Sequence, residues 1–384
     1  MHSMSQPSRI LLLTCAAVVC FFPAAVTVAQ ERARTDSNNT PNLKVLSAGQ
    51  WQQIDTAVDR GLEFIARNQQ ADGSFMAPRS GQPGISSLCI MAFLSRGHVP
   101  GMGPYGDQLE RAIEFVLSTQ HSSGVLSIDP RGSGRGGRPN YNHAIAGLML
   151  GEVYGMTTGD LNERIRKAVP RALAFSRMRQ TRRKGHARDH GGWRYIARYG
   201  ANDSDLTATS WQLMFYRSAK NAEFEVPAAF IDDAMGYVRR CYVPQRGEFV
   251  YGLALDEEHY ASGGTVGGGI VALAMGGEHH TEMAQAGGRW ILKHPFTHYN
   301  RRQQSDDRYH YSAYYCSQAM FQLGGKYWER FYPDLQKVLL TNQQRDGSWD
   351  REARHDGQFG NVYTTALTVL ALTPPYQLLP IYQR

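Results

Sequence analysis

Two aspartates lie two residues apart in Asp203-Ser204-Asp205, and a carboxyl pair of this kind can do acid–base chemistry. A dry site and a like-charged neighbour keep one carboxyl of a pair protonated, so that it can act as an acid. Asp is also a common N-cap residue, because its side chain accepts backbone N–H groups at the start of a helix. The sequence therefore predicts either an acid or an N-cap at Asp205, with Asp203 as the charged neighbour in the first case.

Other polar and aromatic residues cluster near the predicted beginnings of apolar helices, and we take them as candidates for ligand binding: Tyr141, His143, Thr207, Trp211, Tyr309, His310, Tyr311 and Tyr363. Arg194 belongs to a basic stretch from Arg177 to Arg198, which is either an anion site or a solvated loop. A single histidine without companions makes no zinc site, so we predict neither a metal nor another cofactor.

A repeat of about 55 residues positions these candidates. Its clearest copies are residues 62–75, which end in Asp-Gly-Ser-Phe, and residues 335–349, which end in Asp-Gly-Ser-Trp. Each copy begins as an amphipathic helix, a glycine turn ends that helix, and a second, more apolar helix follows. The second helices are predicted at 85–95, 140–154, 205–219, 265–275, 309–323 and 362–372.

Six helix pairs predict an all-α fold, the α/α toroid of six hairpins with an inner and an outer ring. A solenoid needs atypical capping repeats at its ends, whereas the first and last copies here are the most typical, which favours a closed ring. The inner helices then run in the same direction around a central cavity. Their N-termini converge at one mouth, which attracts anions.

The Gln-x-x-Asp-Gly-Ser-Phe/Trp repeat resembles that of squalene–hopene cyclases and protein prenyltransferase β subunits, over residues 51–384. The segment from Tyr327 to Gln383 is similar to exported bacterial repeat proteins of this superfamily. Asp203–Ala208 resembles the Asp-x-Asp-Asp-Thr-Ala motif of the cyclases, which implies that Asp205 is the acid that protonates an alkene. Leu206 replaces the motif's second adjacent Asp, and the zinc-binding Asp-x-Cys of prenyltransferases is absent at Ser262–Gly269, so zinc prenyl transfer is not implied.

Composition and the N-terminus set the broader class. Of 384 residues, 42% are hydrophobic and 20% charged, which is typical of a globular protein, and a formal charge of +7 is too mild to indicate nucleic-acid binding. Residues 1–29 read as a signal peptide cleaved after Ala29, residues 30–50 as a flexible linker, and residues 51–384 as one toroid domain. We expect an exported, periplasmic or otherwise extracytoplasmic protein, with an uncleaved membrane anchor as the alternative.

Two functions follow from these observations. The first is an exported cyclase-like protein that binds an apolar, isoprenoid-like ligand in its cavity, with acid-initiated cyclase or isomerase chemistry and a peripheral contact with the membrane. The alternative is a non-catalytic toroid that binds a ligand, a glycan or a protein partner outside the cytoplasm. A polysaccharide-acting enzyme is a third hypothesis, because toroids with acidic pairs can cleave sugars, but the sequence places no second carboxylate opposite Asp205.

Overall fold

A computed structural model describes residues 43–132, 138–196, 203–253, 261–300 and 308–383. The predicted signal peptide and most of the predicted linker lie outside these residues. The described part contains six helix pairs, whose first members are α1 (Ala48–Arg67), α3 (Gly106–Ser118), α5 (Gly159–Thr181), α7 (Ala228–Arg240), α9 (Glu282–Lys293) and α11 (Gly325–Thr341). The second members are α2 (Gly84–Leu94), α4 (Pro139–Val153), α6 (Leu206–Asn221), α8 (Gly263–Met275), α10 (Tyr309–Leu323) and α12 (Gly360–Leu372). Two short antiparallel strands, β1 (Tyr242–Val243) and β2 (Glu248–Phe249), form a hairpin after α7.

The two members of each pair differ in burial. The odd-numbered helices bury one face; in α1 that face carries Ile54, Val58, Leu62 and Ile65. The even-numbered helices are buried nearly all round, as α2 is along its whole length. They therefore form the inner ring, and the amphipathic helices form the outer ring. None of the described helices has the length and apolar character needed to cross a membrane.

The inner helices form a closed ring in the order α2, α4, α6, α8, α10, α12, because each packs on the next and α12 packs on α2. Outer helices α11 and α1 also meet, so the last hairpin contacts the first. Neighbouring inner helices run in the same direction: the start of α4 bonds residues just before α2 (Asn142 to Gln82 O, 3.0 Å), and the ends of α4 and α6 meet (Ser218 to Glu152, 2.5 Å). The predicted α/α toroid of six hairpins is confirmed.

Helix α1 begins at Ala48, three residues before the predicted domain start at residue 51. The reason is a capping box: the Ser47 side chain accepts the Gln50 N–H, and the Gln50 side chain accepts the Ser47 N–H. Both residues fall within the predicted linker, so its last residues belong to the folded domain.

One set of contacts joins neighbouring hairpins and occurs four times among the described residues. In the last hairpin, the Gln343 Nε2 donates to Gly347 O (2.9 Å) in its own turn and to Ala57 O (2.8 Å) of α1, so that it closes the ring. The same pair of bonds is made by Gln69, Gln120 and Gln180, each to its own turn glycine and to the next outer helix. We call this paired contact the hairpin link.

A second recurring bond fixes the residue that follows the turn. The backbone N–H of Trp349 donates to Thr365 Oγ1 on the inner helix of the same hairpin (3.1 Å). Equivalent bonds join Phe75 to Ser86, Leu126 to His143 and Trp193 to Thr209. Because these donors are buried, each needs an acceptor, and the inner helix supplies one.

Gly347 tests the hairpin link at the point of ring closure. Its φ is +93°, and a Cβ there would lie 2.3 Å from the Arg60 carbonyl oxygen of α1. We expect Gly347→Ala to lower the free energy of unfolding by about 2–4 kcal/mol, measured by urea denaturation. Gly49→Ala is the control, because no atom lies within 4 Å of its added Cβ, and it should change stability by at most about 1 kcal/mol. Equal effects of the two substitutions would contradict this role.

The buried Glu152 carboxyl, near the C-terminal end of α4, makes the stability of the protein depend on pH. Burial raises its pKa from 4.5 to about 7, although Ser218 and the Ile381 N–H donate to the carboxylate. The nearby Tyr314 and Tyr382 have pKa values raised by burial, so they stay neutral in this range. The folded state thus holds the Glu152 proton more tightly than the unfolded state, and stability present below pH 4.5 is lost as pH rises through 7.

The wild-type free energy of unfolding should therefore fall by on the order of 3 kcal/mol between pH 4.5 and 8 because of Glu152, and we expect Glu152→Gln to abolish this fall. Urea unfolding at several pH values measures it. Glu225→Gln, at an exposed position, should keep the wild-type slope. A Glu152→Gln protein with the wild-type slope would assign the pH dependence to another group.

Candidate functional site

The N-terminal ends of the inner helices meet at one mouth of the ring, where side chains from five hairpins come together. We define the mouth site by these residues: Arg138, Tyr141, Arg194, Tyr195, Asp205, Thr207, Tyr251, Arg308, Asp356 and Tyr363. Several of its side chains, such as Tyr141 and Tyr251, are half-buried, whereas Asp205 is fully buried. The site is therefore a polar, aromatic layer that reaches solvent on one side.

The Asp205 carboxyl is the most constrained group of the mouth site. Its Oδ1 accepts the Ala208 N–H (2.7 Å), which makes Asp205 the N-cap of α6, and also the hydroxyls of Tyr141 (2.9 Å) and Thr207 (3.0 Å). Its Oδ2 is buried and has no hydrogen-bond partner in the described part of the chain. One oxygen thus holds the carboxyl in place, and the other is the position for a proton or a ligand.

Burial raises the pKa of Asp205 above its ordinary value. The charge of Arg194 and the bonds from Ala208, Tyr141 and Thr207 oppose this rise, because they stabilise the carboxylate. Burial and the Asp205 charge in turn raise the pKa of the Tyr141 hydroxyl, which stays a hydrogen-bond donor. The site therefore favours the protonated form of Asp205 more than water does.

Arginine and tyrosine side chains cover this carboxyl. The Arg194 guanidinium lies 5.5 Å from the ring centres of both Tyr195 and Tyr251, whose hydroxyls are 3.1 Å apart. The Tyr251 carbonyl accepts the Leu206 N–H (2.8 Å), which fixes this tyrosine at the start of α6. Stacked cation–π contacts of this kind hold an arginine side chain in one orientation.

A second carboxylate lies at the same mouth. Asp356, just before α12, is buried and forms ion pairs with Arg308 (2.6 Å) and Arg138 (3.7 Å). The Arg138 guanidinium also lies over the Tyr195 ring at 5.9 Å, which connects Asp356 to the Arg194 side of the site. The residues that define the mouth site thus include two acidic groups in different surroundings: Asp356 is paired with arginines, and Asp205 accepts bonds from hydroxyls and a backbone N–H.

The structure places Asp203 away from the Asp205 carboxyl. Its Oδ2 accepts the Gly185 N–H (2.6 Å), and its own N–H donates to Asp189 (2.9 Å). In the basic stretch, Arg179 and Lys184 donate to backbone carbonyls of the segment leading to Asp205. Arg194, the residue of this stretch that was predicted to bind a ligand, belongs to the mouth site. Arg179 and Lys184 thus support the segment in front of α6.

Three predicted binding residues lie between the two rings or outside the inner ring. His143 bonds Ser176 of α5 (3.0 Å) and accepts the Leu126 N–H, and burial lowers its pKa to about 3. Tyr309 and His310 pack against the loop after α9, where His310 lies 3.2 Å from the Tyr299 hydroxyl. The reason is helical periodicity, since only one face of an inner helix points inward.

The other predicted residues do come together. Tyr141, Thr207, Arg194 and Tyr363 belong to the mouth site, and Trp211 and Tyr311 lie directly below it, joined by a 3.1 Å bond from the indole N–H to the hydroxyl.

Sequence reasoning missed Arg138, Arg308 and Asp356, and also Tyr195 and Tyr251. Two positional signals were present. Arg138 and Arg308 immediately precede inner helices, and each tyrosine is the second residue after the aromatic of its turn, Trp193 or Phe249.

In the described residues no group of three or more His, Cys, Asp or Glu side chains is placed to hold a metal ion.

Comparison with known proteins supports the fold. No family model matches the sequence, and no curated protein is similar to it. Among solved structures, the type II terpene cyclase of Scytonema with geranylgeranyl dihydroxybenzoate is 13% identical, covers 87% of this chain and 100% of its own, and gives a TM-score of 0.55. An inactive variant of an α-1,6-mannanase of Salegentibacter with α-1,6-mannotriose is 10% identical, covers 85% and 99%, and gives 0.56. The chain thus has the α/α toroid fold that these two enzymes share.

The bond from Tyr141 to Asp205 can be tested by titration. Tyr141→Phe removes a donor that stabilises the Asp205 carboxylate, so the pKa of Asp205 should rise further. Carbon-13 NMR of labelled aspartate carboxyls measures it, and Tyr363→Phe is the control at the same mouth. A pKa that stays unchanged or falls in Tyr141→Phe would show that this hydrogen bond does not set the proton affinity.

Proposed function

We propose that this chain is an exported, terpenoid-cyclase-like toroid that binds an isoprenoid-like ligand at the mouth site, with Asp205 as a general acid. One observation carries the proposal: Asp205 has one oxygen held by three donors, while the other is buried and without a partner. A carboxyl in this arrangement carries its proton at a fixed position. The likeness to a terpene cyclase with a geranylgeranyl substrate supports the ligand class.

The chemistry would begin with transfer of the Asp205 proton to a ligand double bond. The O–H bond breaks, the alkene π electrons form a new C–H bond, and a carbocation remains on the neighbouring carbon. Loss of a proton from an adjacent carbon to the Asp205 carboxylate restores the acid and gives an isomer of the substrate. Tyrosine ring faces at the mouth stabilise positive charge, and Arg194 is placed for an anionic or polar head group of the ligand.

A non-catalytic role has its own support, because the Ala208 bond shows that Asp205 is an N-cap. The toroid would then bind a ligand or partner without turnover. Asp356 favours a glycan among such ligands, since it adds a second buried carboxylate and arginines to a tyrosine-rich mouth, and the mannanase of the same fold contains a bound mannotriose.

Asp205→Asn separates these roles, because Asn caps a helix nearly as well as Asp but carries no acidic proton. The experiment is mass spectrometry of organic extracts from mature protein purified out of the periplasm, before and after incubation with prenyl alcohols. We expect a prenyl-type ligand in wild type, a rearranged isomer formed by wild type, and a loss of turnover of about 100-fold or more in Asp205→Asn at nearly unchanged Tm.

Asp107→Asn removes an exposed carboxylate from the first turn of α3 and should behave as wild type. Wild-type turnover in Asp205→Asn would rule out the acid role. A retained ligand without turnover in either protein would favour the binding toroid, and a retained oligosaccharide would favour its glycan form.

A further inference from the structure

The C-terminal segment crosses the lumen, which is the space enclosed by the inner helices. The Ile381 N–H donates to Glu152 on α4 (3.1 Å), and Gln322 on α10 donates to the Tyr382 carbonyl (3.0 Å). Helices α4 and α10 stand on opposite sides of the six-membered inner ring. Since both bonds are made near the C-terminal ends of these helices, residues 381–382 lie across the end of the lumen opposite the mouth.

Aromatic side chains fill the lumen above this segment. The Tyr382 hydroxyl bonds the Tyr314 hydroxyl, and the Tyr314 ring stacks on Trp211 with centroids 5.6 Å apart and planes 8° apart. Tyr314 is on α10 and Trp211 on α6, which are separated in the ring by α8, so this stack spans the lumen. Trp211 in turn bonds Tyr311 just below the mouth site.

The depth left for a ligand follows from the position of Trp211 on its helix. Trp211 is the sixth residue of α6, and at 1.5 Å per residue it lies about 8 Å along the axis from the start of the helix. The side chains of Trp211, Tyr314 and Tyr382 are all nearly or fully buried. The lumen below Asp205 is therefore filled from about this depth, and the tail supports the aromatic stack that fills it.

We propose that residues 381–382 close the lumen beneath the aromatic stack, and that they and the stack together form the floor of the mouth site and limit the length of the ligand that it takes. This inference rests on the proposed function, since it places a prenyl ligand at the mouth. The preferred ligand is a short prenyl chain with a polar head group. A long chain fits when Tyr382 is removed, because the Tyr314 hydroxyl then loses its partner and the Tyr314 ring can turn into the vacated space, away from Trp211, which opens the lumen to the mouth site.

The test measures chain-length preference by isothermal titration with geraniol, farnesol and geranylgeraniol, whose prenyl chains increase in length. We expect wild type and Gln383→Ala, a change at an exposed tail position, to bind geraniol most tightly. In Tyr382→Ala, the affinity for geranylgeraniol should rise by about tenfold or more, while that for geraniol changes by less than about threefold. Equal geranylgeraniol affinity in wild type and Tyr382→Ala overturns the proposal.

Failure of the proposed function would look different, because no alcohol would then bind to any of these proteins. Benzene then tests the floor by itself, since it binds in apolar cavities left by deleted side chains. A benzene-dependent rise in Tm for Tyr382→Ala and not for wild type supports a tail that fills the lumen, and no rise in either overturns it. If circular dichroism shows that Tyr382→Ala does not fold, Tyr382→Leu, with a shorter apolar side chain, replaces it in both measurements.

Discussion

The toroid depends on the hairpin link, in which one glutamine amide bonds the turn glycine of its own hairpin and a carbonyl of the next outer helix. A backbone carbonyl has two lone pairs, and the link gives one turn carbonyl and one outer-helix carbonyl a donor from a single side chain. Because the same contact joins Gln343 to Ala57, the first hairpin serves as the neighbour of the last. A repeat that binds its own kind in this way closes into a ring without separate capping repeats.

The same turns position the mouth site. In the third hairpin, Gln180 bonds the turn at Gly191, and Trp193 then bonds Thr209 on α6 through its N–H. The Trp193 carbonyl accepts the Asp205 N–H at 2.8 Å. Asp205 is therefore held at the start of α6 by the contacts that build the ring, and Tyr141 of the neighbouring α4 adds a further bond that orients its carboxyl. An acid held by the scaffold itself loses little entropy when a ligand arrives.

The two ends of the lumen differ in chemistry, and this difference sets the orientation in which a ligand would bind. At the mouth, helix N-termini, arginines and carboxyls provide charge and hydrogen bonds. At the other end, the lumen is closed by the Tyr382 ring and by Glu152, whose pKa burial raises to about 7. A ligand with a polar head and an apolar chain matches this gradient in one orientation, with its head toward solvent and its chain toward Trp211.

The sequence by itself determined the architecture, because hydrophobic periodicity and the repeated glycine turn are local signals that recur six times. The inner helix predicted at 309–323 is observed over the same residues, and the motif around Asp205 predicts its role as an N-cap or an acid. Tertiary structure decided which faces point inward: His143 accepts the Leu126 N–H between the rings, His310 lies outside the lumen, and Asp356 reaches the mouth site from a distant loop. These outcomes depend on helix rotation and ring closure, which bring together residues far apart in sequence and which no local pattern encodes.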